Sequence, residues 1–259
     1  MKVILITGGA SGLGWAMARL WHQQGHYIIL ADIDKVLLQQ REQELPGERL
    51  RTILADITRQ SDINNLLQYL ETDVGRLDLL VNNAGITHRS RACDTDPAVF
   101  RKVMAVDWEG PVELTHATLP LLRASQGEII CLGSMAGWMP VPGRAGYCAA
   151  KAALSQYFEV LRLELAKDNI HVLMVYPSFV HTPIEQNALG KDGKKASHAR
   201  SVVGRVISAE QMAEHIDNAL RARREWLFPD GVARLGSLLW RLMPTTYLRL
   251  VRRKFAGEL

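Results

Sequence analysis

The chain predicts an α/β fold, a single domain wound on both faces of a mainly parallel sheet, and three observations carry that prediction. Short runs rich in Val, Ile and Leu alternate along the sequence with longer segments of helical periodicity. Those runs are apolar at consecutive positions, as strands buried on both faces require. No linker or internal repeat divides the 259 residues, a length that fills one such domain.

The elements follow in order. KVILIT, HYIILAD, RLRTILAD and RLDLLVNN read as strands, separated by helical patterns near 12–24, 34–45 and 59–73. Pro97 suits the first turn of the next helix, where its missing N–H has no partner to lose. That helix is expected to reach Leu119 and stop before Pro120. GEIICLG gives another strand, followed by a Gly- and Pro-rich loop from Gly133 to Gly143 and a long helix from Ala145 to Ala166. HVLMVYP is the sixth strand. Thr182 to Arg205, which contains GKDGKKASH, reads as a mobile excursion, polar and glycine-containing. A helix from Ala209 to Arg223 and a short strand EWLFP complete a core of residues 1–229, which carries both cofactor and substrate sites, and residues 230–259 form an extension.

Composition excludes several classes. At 47% hydrophobic and 22% charged residues the chain is that of an ordinary globular protein. Cys93, Cys131 and Cys148 form no C-x-x-C pair, which argues against a disulfide framework and for a reducing, cytoplasmic setting. No charged segment followed by a long apolar run opens the chain, so no signal peptide is expected. No stretch reaches the ~18 consecutive apolar residues of a spanning helix. His22 and His26 straddle Gly25 with no third ligand, and no metal site is expected.

The formal charge is +4, and all of it lies in the extension, where six basic residues face Asp230 and Glu258. The rest is nominally neutral and makes no case for nucleic acid. In the extension Leu235, Leu238, Leu239, Leu242 and Met243 recur at helical spacing before Pro244. Tyr247, Leu248, Val251 and Phe255 follow, interrupted by Arg249, Arg252 and Arg253. Such a basic amphipathic tail packs over a pocket, packs between subunits, or lies on an anionic membrane surface, and the two packing roles together outweigh peripheral membrane contact.

TGGASGLG, Thr7 to Gly14, stands where the first strand turns into the first helix. Its glycines bring the backbone close to a dinucleotide, and the helix N-terminus favours a negative pyrophosphate. The spacing Gly8-x-x-x-Gly12-x-Gly14 is looser than G-x-G-x-x-G, so position between strand and helix carries the reading. Asp32 ends the second strand, 18 residues beyond Gly14, where a carboxylate accepts hydrogen bonds from ribose hydroxyls. A ribose phosphate would meet that carboxylate, and Ile33 offers no cation, so NAD is favoured over NADP. Asp56 and NNAG, Asn82 to Gly85, fall at the carboxyl ends of the next two strands, which line the crevice of an open parallel sheet. The paired asparagines also suit a purely structural role, joining loops through their amides.

Tyr147 and Lys151 are four apart and share one helix face. A phenol with a reference pKa near ~10 is a poor base at neutral pH, and a neighbouring ammonium is the device that stabilises phenolate. Ser134, 13 residues before Tyr147, adds a hydroxyl able to hold a substrate oxygen.

Together these residues resemble the classical short-chain dehydrogenase/reductase family, on TGGASGLG at 7–14, Asp56, NNAG at 82–85, Ser134, YCAAK at 147–151 and PSFVHT at 177–182. The resemblance runs from Lys2 to about Pro229. It implies a single Rossmann-like domain with a seven-stranded parallel sheet, assembled as a homodimer or homotetramer, that moves a hydride between NAD(H) and an alcohol or ketone. By the same resemblance Tyr147 is the general acid/base, Lys151 lowers its pKa and holds the nicotinamide ribose, and Ser134 orients the substrate oxygen. Gly8, Ser11, Gly12, Leu13 and Gly14 form the cofactor turn. Asp56 and the backbone at Ile57 sit against adenine, Asn83, Ala84 and Gly85 line the cleft, and Thr182 contacts the nicotinamide amide.

Two positions depart from the family pattern. VDWEG at 106–110 resembles a segment that usually reads V-N-x-x-G, so Asp107 takes the place of a catalytic-site asparagine. A carboxylate accepts hydrogen bonds but donates none through an amide, and its charge favours protonated Lys151, so the proton relay is expected to persist with an altered pH profile. Ser178 replaces a usual glycine.

Substrate selection is expected from three loops, Thr87 to Asp94, Gly137 to Arg144 and Ile184 to Val206, with Trp138, Met139 and Val141 as apolar walls. Similar tails occur in family members that handle steroids, retinoids and other lipophilic alcohols, which tilts the reading towards a lipophilic substrate. Two competing readings keep the fold: an NAD-binding regulatory or scaffold protein with little turnover, and an epimerase or dehydratase.

Overall fold

A computed structural model describes residues 1–177, 179–196, 206–229 and 231–254, with the side chains of 232 and 233 left aside. Ser178, the 197–205 part of the excursion and Phe255 of the tail lie outside the described residues.

Seven parallel strands form one sheet in the order β3-β2-β1-β4-β5-β6-β9. They are β1 (Val3–Thr7), β2 (Tyr27–Asp32), β3 (Leu50–Leu54), β4 (Leu79–Asn82), β5 (Glu128–Leu132), β6 (His171–Val175) and β9 (Trp226–Leu227). Residues alternate between the two faces, and the apolar runs supply both. Ile4, Ile6, Ile28, Leu30, Val81 and Leu173 bury against α1 (Gly12–Gln23) and α7 (Ala209–Arg221). Leu5, Ile29, Leu80, Ile129 and Val172 bury on the opposite face against α3 (Gln60–Tyr69), α5 (Gly110–Ser125) and α6 (Ala145–Leu165). Truncating a fully buried anchor such as Phe158 to Ala in a core of this kind costs about 3–5 kcal/mol.

The chain winds outward from β1 through β2, α2 (Lys35–Glu44) and β3, then crosses back to place β4 beside β1. This reversal opens a crevice at the carboxyl ends of β1 and β4, where ligands of open parallel sheets bind. It brings TGGASGLG and NNAG together.

Three elements differ from expectation. The helix opened by Pro97 does not stop before Pro120. It runs as α4 (Pro97–Met104), a widened π-type turn at Ala105–Glu109, and α5 to Ser125. Leu119 and Leu122 bury on the sheet while Pro120 and His116 face solvent, so the carbonyl that Pro120 leaves without its helical partner is on the wet side. The excursion after Thr182 is packed over its described part. Leu189 N–H donates to the Thr87 carbonyl at 2.8 Å, Arg89 N–H donates to the Leu189 carbonyl at 2.7 Å, and Asp96 N–H donates to the Lys191 carbonyl at 2.8 Å. β7 (Phe179–Val180) then pairs with β8 (Val206–Ile207).

The tail forms α8 (Gly231–Leu242) and α9 (Pro244–Lys254), and it packs on the loop before α6. Tyr247 is buried and its hydroxyl donates to the Pro140 carbonyl at 3.1 Å, while the Arg241 guanidinium lies 4.5 Å over the Trp138 ring. Leu235, Leu238, Leu242, Met243, Leu248 and Leu250 are exposed, so an apolar face remains on the outside. Among the described residues no helix is long and apolar enough to cross a membrane.

Candidate active site

β1 delivers Thr7 to the crevice, and the Thr7 hydroxyl oxygen accepts the N–H groups of Asn83 and Ala84, each at 3.1 Å. The Asn83 amide donates to the carbonyls of Thr7 at 2.9 Å and Gly8 at 3.0 Å. NNAG therefore holds the glycine turn in shape, the structural role that paired asparagines suit. Asn82 works on the other side, donating to Thr115 Oγ1 at 2.8 Å. Thr7 carried no signal of its own beyond a hydroxyl at a strand end.

Steric fit explains the glycines of the turn, with Gly14 and Gly12 as two examples. A Cβ on Gly14 would lie 2.3 Å from the Gly8 carbonyl oxygen, because the first turn of α1 packs directly on the loop. Gly12 has φ +52°, and a Cβ there would stand 3.2 Å from Thr182 Cβ. The Thr182 and Pro183 side chains thus face the glycine turn across a narrow gap. That cradle, at the N-terminus of a 12-residue helix with no acidic residue in its first turn, fits a dinucleotide pyrophosphate. Ser11 occupies the N-cap position of α1 without its hydroxyl serving as the cap. Leu13 is buried in the core beneath the loop and anchors it from below.

Asp32 accepts Ala10 N–H at 3.0 Å and Asp34 N–H at 3.1 Å, which places its carboxylate beside the glycine turn. Arg41 reaches the same turn from α2. Its Nε donates to the Ala10 carbonyl at 2.8 Å, its guanidinium lies 4.7 Å over Trp15, and it pairs with Glu44. Ile33 gave no sign of this cation, because the helix brings it from nine residues beyond Asp32. Asp56 makes a tight local turn, accepting Thr58 N–H at 2.9 Å and Thr58 Oγ1–H at 2.7 Å. Ile57 is buried, and its carbonyl lies 2.8 Å from where a Cβ of Gly110 would be.

Tyr147 and Lys151 stand near the start of α6, with Lys151 Nζ 5.8 Å from the tyrosine ring centroid. Lys151 donates to the Leu132 carbonyl at 2.9 Å and lies 3.2 Å from Asp107 Oδ2. The widened turn points Asp107 inward, where Oδ1 accepts Ile86 N–H at 2.8 Å. No donor is aimed squarely at Oδ2, so the contact with Lys151 is ionic in character. Gly85 leaves room for the pair: a Cβ there would stand 3.4 Å from Oδ2 and 3.5 Å from Nζ. Ser134 follows β5 and accepts Ala136 N–H at 3.1 Å.

Burial and charge act in opposition on this cluster. Burial raises the Asp107 carboxyl above its ordinary range, with Lys151 pulling it back. Burial works against the Lys151 ammonium, but Asp107 and then Tyr147 outweigh it and raise the lysine. The Tyr147 phenol is raised overall. Burial is the largest cause, Lys151 opposes it, Asp107 adds to it, and the Ser134 hydroxyl and Arg144 favour ionisation. Lys151 therefore acts in the expected direction but does not prevail, because burial of the phenol outweighs it and Asp107 adds to the rise.

His88 is a further residue that the sequence did not single out. It is fully buried, and its Nε2 accepts Gly146 N–H at 2.9 Å, capping α6 beside Tyr147. Nδ1 faces Ser90 Oγ at 3.2 Å, so the neutral ring carries its proton there. Burial and then Arg144 push its pKa down to about 4. No group of metal-ligating side chains gathers among the described residues.

A model of the short chain dehydrogenase family matches residues 2–192. The chain belongs to that family. As a short-chain dehydrogenase it is an NAD(P)(H)-dependent oxidoreductase with a Rossmann-type cofactor site. It is 32% identical over 266 residues to bovine dehydrogenase/reductase SDR family member 7B, covering 99% of this chain and 82% of the bovine one. It is 30% identical to the Drosophila melanogaster dehydrogenase/reductase SDR family protein 7-like, covering 98% of this chain and 80% of that one. A solved short-chain dehydrogenase from Streptomyces avermitilis superposes with a TM-score of 0.81 at 28% identity, over 99% of this chain and 96% of the other. The 3-ketoacyl-(acyl-carrier-protein) reductase of Brucella melitensis, solved with NADH, gives 0.75 at 25% identity, over 87% and 94%.

Proposed function

We propose that this dehydrogenase uses NAD(H) to interconvert a lipophilic secondary alcohol and its ketone, with Tyr147 as the acid/base. The observation that carries the reading is the cluster of half-buried Tyr147 with buried Lys151 and Asp107 beside Ser134, at the end of the sheet that bears the glycine turn. The nicotinamide supplies or accepts the hydride when bound. Ser134 holds the substrate oxygen, and Tyr147 takes the hydroxyl proton in oxidation and returns it in reduction. Lys151 anchors the nicotinamide ribose and passes the proton on through Asp107.

The cofactor roles proposed follow the geometry. Gly8, Ser11, Gly12 and Gly14 hold the pyrophosphate, with Leu13 supporting the turn. Asp32 takes the adenosine ribose hydroxyls and favours NAD. Asp56 and Ile57 sit at the adenine, Asn83, Ala84 and Gly85 line the cleft, and Thr182 meets the nicotinamide amide. The lipophilic preference is supported by Trp138 and Met139, partly buried just after the short turn that follows Ser134, with Arg241 of α8 over the Trp138 ring. We place residues 1–229 as the catalytic domain and 230–259 as an extension whose outer face touches anionic membrane, in a cytoplasmic homodimer or homotetramer.

The test is reduction of NAD and NADP over steroid, retinoid, long-chain, sugar and small secondary alcohols, run beside Tyr147→Phe. Loss of the acid/base should lower kcat by about 10²–10⁴ while NADH binding, read by fluorescence, persists. Equal turnover by the variant would overturn the reading.

A further inference from the structure

The loops expected to select substrate share a buried ionic cluster. Arg89 lies in the loop after β4, Arg144 is the N-cap residue of α6 three positions before Tyr147, and Glu185 ends a short turn at Pro183–Glu185. Arg144 grips the carboxylate with two nitrogens, Nη1 to Oε1 at 3.3 Å and Nη2 to Oε2 at 3.0 Å. Arg89 Nη2 donates to the same Oε2 at 2.8 Å and to the Glu185 carbonyl at 3.3 Å, and Arg144 Nη1 also donates to Thr87 Oγ1 at 3.1 Å. The three loops expected to select substrate meet at this point.

Both cations are withdrawn from water, with side chains 6% and 10% exposed, while the Glu185 side chain is 19% exposed. A guanidinium does not shed its charge on burial. Where a buried ion pair serves only to hold loops together, apolar packing does as well or better. Two guanidinium groups around one planar carboxylate are instead the geometry that recognises carboxylates and phosphates. The field of Arg144 is also felt at the chemistry, since it lowers His88 and favours Tyr147 ionisation.

We infer that Arg89 and Arg144 form the recognition site for a carboxylate or phosphate on the substrate, and that Glu185 is the chain's own stand-in, displaced when that group binds. The substrate class is then an amphiphilic carbonyl compound or alcohol, with its anionic head at the arginines and its apolar body against Trp138 and Met139. This deepens the hydride-transfer reading and rests on it for the location of the substrate.

The experiment titrates the NADH complex of the full chain with decanoate, decyl phosphate and decan-1-ol, following NADH fluorescence, which needs no turnover. At least one anion should bind about tenfold tighter than the alcohol, a difference of about 1.4 kcal/mol. The tighter of decanoate and decyl phosphate identifies the head group. Glu185→Gln should tighten the anions by about threefold or more and leave decan-1-ol unchanged, because the competitor has lost its charge. Arg144→Gln and Arg89→Gln should bring anion and alcohol within about twofold of each other. The double variant R144Q/E185Q removes one cation together with the anion, so the net charge of the cluster is unchanged, and it should show the same loss in a folded protein. No preference in the wild type, or weaker binding of all three ligands in Glu185→Gln, would overturn the inference and leave Glu185 as a loop clamp. Reduction of an uncharged ketone, measured in parallel, separates the two readings: it survives if only the anion site is wrong.

Discussion

Asp107 Oδ2 stands 3.2 Å from Lys151 Nζ, with both side chains at most 5% exposed. A family position usually filled by a neutral amide thus holds a buried counter-ion. If Tyr147 is the acid/base as proposed, its phenolate is the active form in oxidation, and the rate rises as pH passes the Tyr147 pKa. Asp107 raises that pKa, and Asp107→Asn should therefore move the rising limb of the kcat profile to lower pH. Superimposable profiles would remove Asp107 from the relay.

The same pair predicts a stability effect. Asp107→Leu leaves the Lys151 ammonium buried without its anion, which costs about 3–5 kcal/mol in such settings. Asp107→Asn keeps an acceptor and should cost less. Urea unfolding of the two variants gives the ranking, and equal midpoints would contradict it.

His88 predicts an acid-sensitive fold. Its folded pKa of about 4 lies below the 6.5 of the unfolded side chain, so the unfolded state takes up a proton that the folded state resists. The stabilisation is complete above pH 6.5 and is lost as pH falls towards 4, amounting to roughly 3 kcal/mol. His88→Gln retains a neutral acceptor for Gly146 N–H and lacks the proton uptake. Its stability should fall less than that of the wild type between neutral pH and pH 4.5; parallel curves would show that another group controls acid unfolding.

Asp32 should govern cofactor choice despite the nearby Arg41. Asp32→Ala removes a charged acceptor worth about 1.5–3 kcal/mol to the ribose hydroxyls, so the NAD-to-NADP ratio of kcat/KM should drop by at least about tenfold. Because Ala10 N–H also loses its partner, the ratio is the measurement to use. An unchanged ratio would assign the choice elsewhere.

The outer face of the tail predicts binding to anionic vesicles. Leu235 and Leu242 are 66% and 72% exposed, and burying a leucine fully contributes about 1.5–3 kcal/mol. The double substitution of both by Glu should abolish co-sedimentation with vesicles rich in phosphatidylserine without altering NADH binding. Retention of both proteins in the supernatant would limit the tail to packing.

The sheet was legible because most of its strands are apolar at consecutive positions, while the cofactor and catalytic proposals rest on local patterns, the glycine turn and the Tyr147–Lys151 spacing. Three features were not legible, each for a physical reason. Arg89, Arg144 and Glu185 lie far apart in sequence and meet only through the fold. The segment after Thr182 is polar in its side chains, yet it docks through backbone groups of Leu189 and Lys191, which composition does not report. Pro120 ordinarily ends a helix, and here the burial of Leu119 and Leu122 carries the chain past it.

The widened turn at Ala105–Glu109 works as a phase shifter within one long rod. It spends an extra residue in a single turn, so α4 and α5 keep their apolar stripes on the protein while Asp107 is rotated towards Lys151. Deleting one residue there would restore ordinary winding with α4 and α5 still in phase, and the position of Asp107 would lose the outward widening that carries its carboxylate to Lys151. The rod would remain a helix, but its two halves could no longer present both the core stripe and the carboxylate at once. A deletion at this point is therefore a way to unseat the carboxylate while leaving the apolar stripes of α4 and α5 in place.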